Sequence, residues 1–165
     1  MYVKSEDRKA EIMALRKILT FGDETLGKKS RPIEKFDGKL HALLDDMAET
    51  MYKANGVGLA AVQIGILRRV VVIDTGDELI ELINPEIIEE SGEQTDKEGC
   101  LSLPGKFGDV TRPMNVKVRA QDRFGDFFEI EGEELLARAF CHEIEHLDGH
   151  LFIEKASNVE EISED

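Results

Sequence analysis

EELLARAFCHEIEHLDG, residues 133–149, is the most strongly patterned stretch of the chain. Leu135, Leu136, Ala139, Phe140 and Ile144 recur at helical spacing as an apolar face, and Gly149 supplies a stop, so a helix from about Glu133 to Leu147 is expected. Inside it His142-Glu143-Ile144-Glu145-His146 reads H-E-x-x-H. Residues four apart project from nearly the same face one turn apart, so both imidazoles can reach one metal ion. Glu143, beside them, can take a proton from a water on that ion. The plain alternative is a charged, solvent-facing turn that matches the pattern by chance.

A hydrolytic centre of this type keeps three protein ligands and leaves the fourth position to water. Downstream, His150, Glu154, Glu160 and Glu161 are available as the third. Upstream, Cys100 lies in EGCLSLPG, residues 98–105, where flanking glycines let a thiolate approach a metal and let backbone N–H groups face a substrate. Spacing alone equally allows a buried free thiol there. Cys141 adjoins the first histidine but points about a quarter-turn away, which favours packing.

GVGLAAVQIG, residues 56–65, contains G-x-G-x-x-A, a variant of the dinucleotide fingerprint, with Asp74 following a strand. That fingerprint needs a strand before it and a helix after it; here a helix precedes, and Gly65 interrupts too soon. What remains is an extended, small-residue segment with one polar side chain, Gln63. It can cap a turn, or it can offer a neutral amide donor to a developing oxyanion.

Around these segments the elements are short. From Asp37, Leu40, Leu43, Leu44, Met47 and Met51 mark a second helix, with Gly56 as its stop. Arg69–Asp74 and Leu79–Asn84 read as strands about Gly76-Asp77, with Pro85 limiting the second. Val116–Ala120 and Phe127–Glu131 form another antiparallel pair across Phe124-Gly125. Without regular βαβ alternation, the fold class is α+β, a mixed or antiparallel sheet packed around the C-terminal helix.

A chain of 165 residues needs only one domain, placed at 13–155. Residues 1–12 are an N-terminal extension or leader, or an ordinary first helical turn, and Met13 is a candidate start. Residues 156–165 are an acidic tail expected to fray into solvent. The net charge of −14 argues against nonspecific nucleic-acid binding and direct DNA binding. No apolar run approaches a bilayer span, and two cysteines make no disulfide framework. A cytoplasmic protein with reduced thiols is expected.

Taken together, Gly-x-Gly-x-Ala-Ala-x-Gln at 56–63, Glu-Gly-Cys-Leu-Ser at 98–102 and His-Glu-x-x-His at 142–146 resemble, in order and separation, the three motifs of peptide deformylase. The resemblance extends from about Met13 to Ile153. It implies that Cys100, His142 and His146 bind one divalent metal ion, ferrous iron in the family, replaceable by nickel, cobalt or zinc. It also implies removal of the N-formyl group from the N-terminal formyl-methionine of newly made polypeptides, releasing formate. A metal-bound hydroxide would attack the formyl carbon, with Glu143 as general base and then acid. Gln63 and the Leu101 N–H would stabilise the oxyanion. The stretches Val57 to Gly58 and Gly99 to Leu101 would pair with the peptide backbone, and Val57, Phe140 and Cys141 would lie near the methionine side chain.

The chain departs from the family's better-known bacterial members at its end. They continue into a basic segment implicated in ribosome docking, whereas this chain offers Glu160, Glu161, Glu164 and Asp165. Two other readings keep the helix motif: a metallopeptidase with a downstream third ligand, and a catalytically silent module that recognises peptide N-termini by strand addition.

Overall fold

The computed structural model describes residues 15–162. The expectations for residues 1–12 and for a start at Met13 lie outside the described residues. Two α-helices and eight strands organise the described residues: α1 (Gly38–Lys53), α2 (Leu135–Leu147), β1 (Gly58–Ala60), β2 (Val70–Ile73), β3 (Ile80–Ser91), β4 (Gln94–Cys100), β5 (Leu103–Arg112), β6 (Asn115–Gln121), β7 (Phe127–Glu133) and β8 (Ser157–Glu161). The strands form a five-stranded sheet in the order β1-β2-β3-β6-β7 and a three-stranded sheet in the order β4-β5-β8. Every strand pair is antiparallel, which resolves the expected mixed or antiparallel sheet to the second kind.

Each helix covers one face of the larger sheet. β2, VVVI, is buried throughout, and its side chains alternate between the two helices. Val71 and Ile73 join Ala137, Phe140, Ile144 and Leu147 of α2, while Val70 and Val72 join Leu40, Leu44, Met47 and Met51 of α1. Asp37 starts α1, its Oδ1 accepting from the Leu40 N–H at 3.1 Å. Gly149, at φ +82°, lies just beyond the end of α2. Leu103, Val110, Leu151 and Phe152 form a third, smaller core at the three-stranded sheet.

Two expectations need correction, and one pair of strands was not foreseen. Pro85 does not limit β3, because the ladder shifts register between Ile83 and Glu86, and Asn84 at φ 53° opens the gap in which a residue without an N–H fits. The acidic tail does not fray at 157–161. It forms β8 along β5, pairing Lys106 with Glu161 and Phe107 with Glu160, and the Ile162 N–H then donates to Gly105 O at 2.7 Å. All five β8 residues are exposed, so backbone pairing rather than side-chain burial holds the strand. Finally, the segment around Cys100 belongs to a β4–β5 hairpin that its polar sequence does not announce.

Candidate active site

The two sheets meet α2 where the three motifs converge. Cys100 ends β4, and His142 and His146 stand one turn apart on α2. Cys100 Sγ is 3.4 Å from His146 Nε2, which is 3.2 Å from His142 Nε2, and the three ligand atoms all lie within 4.8 Å of one another. Two imidazole nitrogens on one tetrahedral ion would be about 3.3 Å apart, and a thiolate sulfur about 3.6 Å from each. The Cys100–His146 and His146–His142 spacings match within a few tenths of an ångström and the third lies within 4.8 Å, so this donor set fits a single small divalent ion.

The downstream residues considered as third ligands are engaged elsewhere or exposed. His150 Nδ1 pairs with Glu154 at 3.1 Å, Glu160 receives the Lys97 ammonium at 2.9 Å, and Glu161 lies exposed on β8. Among the described residues no other trio of His, Cys, Asp or Glu converges in this way. The peptidase arrangement therefore has no third ligand here.

Glu143 is buried against β1. A Cβ on Gly58 would sit 2.7 Å from Glu143 Oε1, so only a glycine allows the carboxylate this close to the strand. Burial pushes the Glu143 carboxyl up to about 7 against the pull of His142 and Arg112, and its Oε2 has no hydrogen-bond partner. A carboxylate with a free oxygen and a raised pKa is equipped to exchange a proton near neutrality.

Gln63 is 1% exposed, at the 3₁₀ turn Ala61–Ile64. Its Oε1 accepts from the Ala60 N–H at 2.9 Å, which fixes Nε2 as the donor. Nε2 lies 3.1 Å from Ser102 Oγ and 3.6 Å from Cys100 Sγ.

A cavity of about 480 Å³ opens over Cys100, His142 and Glu143, with Val57, Gly58, Gly99 and Leu101 also on its wall. Three larger grooves elsewhere contain none of the convergent donors. Phe140 and Cys141 are not on the wall: both are packed in the core between α2 and the sheet, and burial raises the Cys141 thiol to about 11. Helical phase explains this. Leu135, Arg138, His142 and Glu143 share the cleft side of α2, whereas Ala137, Phe140, Cys141, Ile144 and Leu147 share the sheet side, with Ala139 at the border of both.

The sequence reading also left Glu98 without a role. It is 7% exposed and meets three partners: Arg112 bonds both its oxygens at 2.8 and 3.2 Å, Arg138 Nη1 donates to Oε2, and His142 Nδ1 pairs with Oε1 at 2.7 Å. Burial works against the Glu98 charge, but the bonds from His142 and Arg112 overcome it and hold the carboxyl at about 2. A carboxylate on Nδ1 fixes the tautomer that leaves Nε2 free for a metal. Only its place in the quoted motif marked Glu98, and nothing local marked Arg112.

Two histidines on one helix, a cysteine brought by a sheet and a buried glutamate over a cleft define the class: a metal-dependent hydrolase. The family profile described as polypeptide deformylase matches residues 15–161. Peptide deformylases of Caldicellulosiruptor bescii and Alkaliphilus metalliredigens are each 62% identical over 143 residues, covering 87% of this chain and 86% and 97% of theirs. The crystal structure of a peptide deformylase from Legionella pneumophila superposes with a TM-score of 0.84 at 50% identity, covering 87% of each chain. That of a peptide deformylase from Synechococcus elongatus in complex with actinonin gives 0.84 at 37%, covering 87% of this chain and 79% of that one. The chain belongs to the polypeptide deformylase family, metalloenzymes that remove the N-formyl group from N-terminal formyl-methionine.

Proposed function

We propose that this chain deformylates the N-termini of newly made polypeptides in the cytoplasm, with Cys100, His142 and His146 holding one ferrous ion that nickel, cobalt or zinc can replace. The observation that carries the reading is the convergence of those three donors beside the free oxygen of Glu143. When bound, the ion supplies Lewis acidity, making water a nucleophile at neutral pH.

The chain's own residues do the rest. β1 and β4 each end a sheet, so their outer backbone edges can align an extended peptide between Val57–Gly58 and Gly99–Leu101. Val57, Leu101, Leu135 and Ala139 offer the apolar wall for the methionine side chain. Glu143 accepts the water's proton and delivers it to the departing amine as the C–N bond breaks, yielding formate and a free N-terminus. The Gln63 amide and the Leu101 N–H hold the carbonyl oxygen as it gains charge.

Glu160 and Glu161 make the exposed strand β8 a poor surface for ribosomal RNA, so the enzyme meets nascent chains by diffusion or through another surface. Salt-sensitive cosedimentation with ribosomes that depends on residues 154–165 would overturn this.

The primary test is anaerobic formate release from formyl-Met-Ala-Ser by iron- or nickel-loaded protein, beside an acetylated peptide and a Glu143→Ala variant. Formate from the formylated peptide alone, abolished in the variant, is expected. No formate despite one bound metal per chain would return the silent binding module to first place.

A further inference from the structure

Ser102 closes the second motif, yet neither the metal donors nor the proton path uses it. Its side chain is fully buried, between the half-buried Leu101 and the buried Leu103. A hydroxyl taken from water must recover a hydrogen bond, and an apolar residue would fill such a position at less cost. Among the described residues its one side-chain partner is Gln63 Nε2, at 3.1 Å, across 39 positions of sequence.

The geometry assigns that contact a purpose. The Ala60 N–H fixes Gln63 Oε1, so Nε2 carries two protons on the side facing the site. Ser102 Oγ takes one. The other lies toward Cys100 Sγ, 3.6 Å from Nε2, where the oxyanion would form. The backbones are braced together as well: the Leu19 N–H donates to Gln63 O and the Phe21 N–H to Ser102 O, both at 2.7 Å. One extended segment therefore sets the spacing of the two residues through its own two-residue repeat.

We propose that Ser102 is a positioning residue for the deformylation reaction, holding the plane of the Gln63 amide so that its second N–H is aimed before the substrate arrives. The inference rests on the reading of Gln63 as an oxyanion donor. A preorganised donor acts on charge that exists only in the transition state, so its misalignment lowers kcat and leaves KM in place.

The test is a double-mutant cycle on nickel-loaded protein, following formate from formyl-Met-Ala-Ser, with bound metal measured for every variant. Ser102→Ala is expected to lower kcat about tenfold at unchanged KM, the size of one buried N–H left unpaired. Gln63→Ala is expected to lower kcat by about 100-fold or more. Adding Ser102→Ala to Gln63→Ala is then expected to change kcat by less than about twofold, since the group being positioned is gone. Equal losses in both backgrounds, a loss confined to KM, or no loss overturns the proposal. A measurement that needs no serine variant is NMR of zinc-loaded wild-type protein. The Gln63 side-chain proton held by Ser102 should exchange slowly with solvent; two rapidly exchanging protons refute the hydrogen bond. Absence of formate from wild-type protein would sink the deformylase reading, while the NMR result would still decide the contact.

Discussion

Glu98→Gln keeps the shape of the side chain and removes its charge, which isolates what the buried carboxylate does. Arg112 and Arg138, 2% and 5% exposed at their side chains, both face it. Arg112 retains Glu145 Oε1 at 2.7 Å, but Arg138 has no second anion among the described residues. Removing one member of a buried pair costs about 3–5 kcal/mol, because the remaining charge stays out of water without compensation. For a chain of this size about 3 °C is lost per kcal/mol, so Tm should fall by about 10 °C in a thermal melt of the metal-loaded protein. His142 Nδ1 loses its charged partner as well, and disturbance of such an outer contact lowers metal affinity about 10–100-fold. Competition against a chromophoric chelator measures that loss. The exposed Lys97–Glu160 pair is the control, and Lys97→Ala should leave Tm where it is. A Glu98→Gln protein that melts within about 2 °C of wild type and binds metal as tightly would refute the reasoning.

Gly58→Ala places a methyl 2.7 Å from Glu143 Oε1 and 2.8 Å from its Cγ, so the carboxylate must move; kcat should fall about 100-fold, and steady-state kinetics showing less than a threefold change would count against Glu143 as the proton carrier. Cys141, its thiol raised to about 11, is only about one part in a thousand thiolate at pH 8; iodoacetamide followed by peptide mass spectrometry should leave it unlabelled until the protein unfolds. Cys100, half-buried and free, should be labelled after chelation and protected by bound metal, and equal labelling in both states would remove it from the ligand set. Iron-loaded enzyme should lose activity in air faster than nickel-loaded enzyme, since both ferrous iron and the thiolate can be oxidised; equal lifetimes would contradict that explanation.

What the sequence revealed divides by range. α1 and α2 were legible because their apolar repeats and end signals are local, β2 because four branched residues run together, and β6 and β7 because branched and aromatic residues alternate with polar ones between turns. The wall of the cleft was less so. Phe140 and Cys141 adjoin the metal motif along the chain, but about 100° per residue turns them toward the sheet, and the same period carried forward brings Leu135 and Ala139 to the cleft. β4 and β8 were invisible because their residues are largely polar and exposed; their stability comes from ladder bonds to β5, which no local pattern encodes.

The site's contacts are longer in range still, and this decides which residues a motif can reveal. Cys100 meets His146 across 46 positions, Glu98 meets His142 across 44 and Arg138 across 40, and Gln63 meets Ser102 across 39. Spacing exposes the two histidines, because one helix supplies both. It leaves Cys100 open between ligand and core thiol, since a lone cysteine carries no geometry until the hairpin brings it to α2. Glu98, Arg112 and Ser102 stand one contact further out. Each acts by fixing another side chain, so its role follows only from a partner that is itself identified by folding. The site is therefore built in layers of increasing range: the helix presents two ligands, the β4–β5 hairpin adds the third and its carboxylate support, and the extended segment at Leu19–Phe21 sets the amide opposite them.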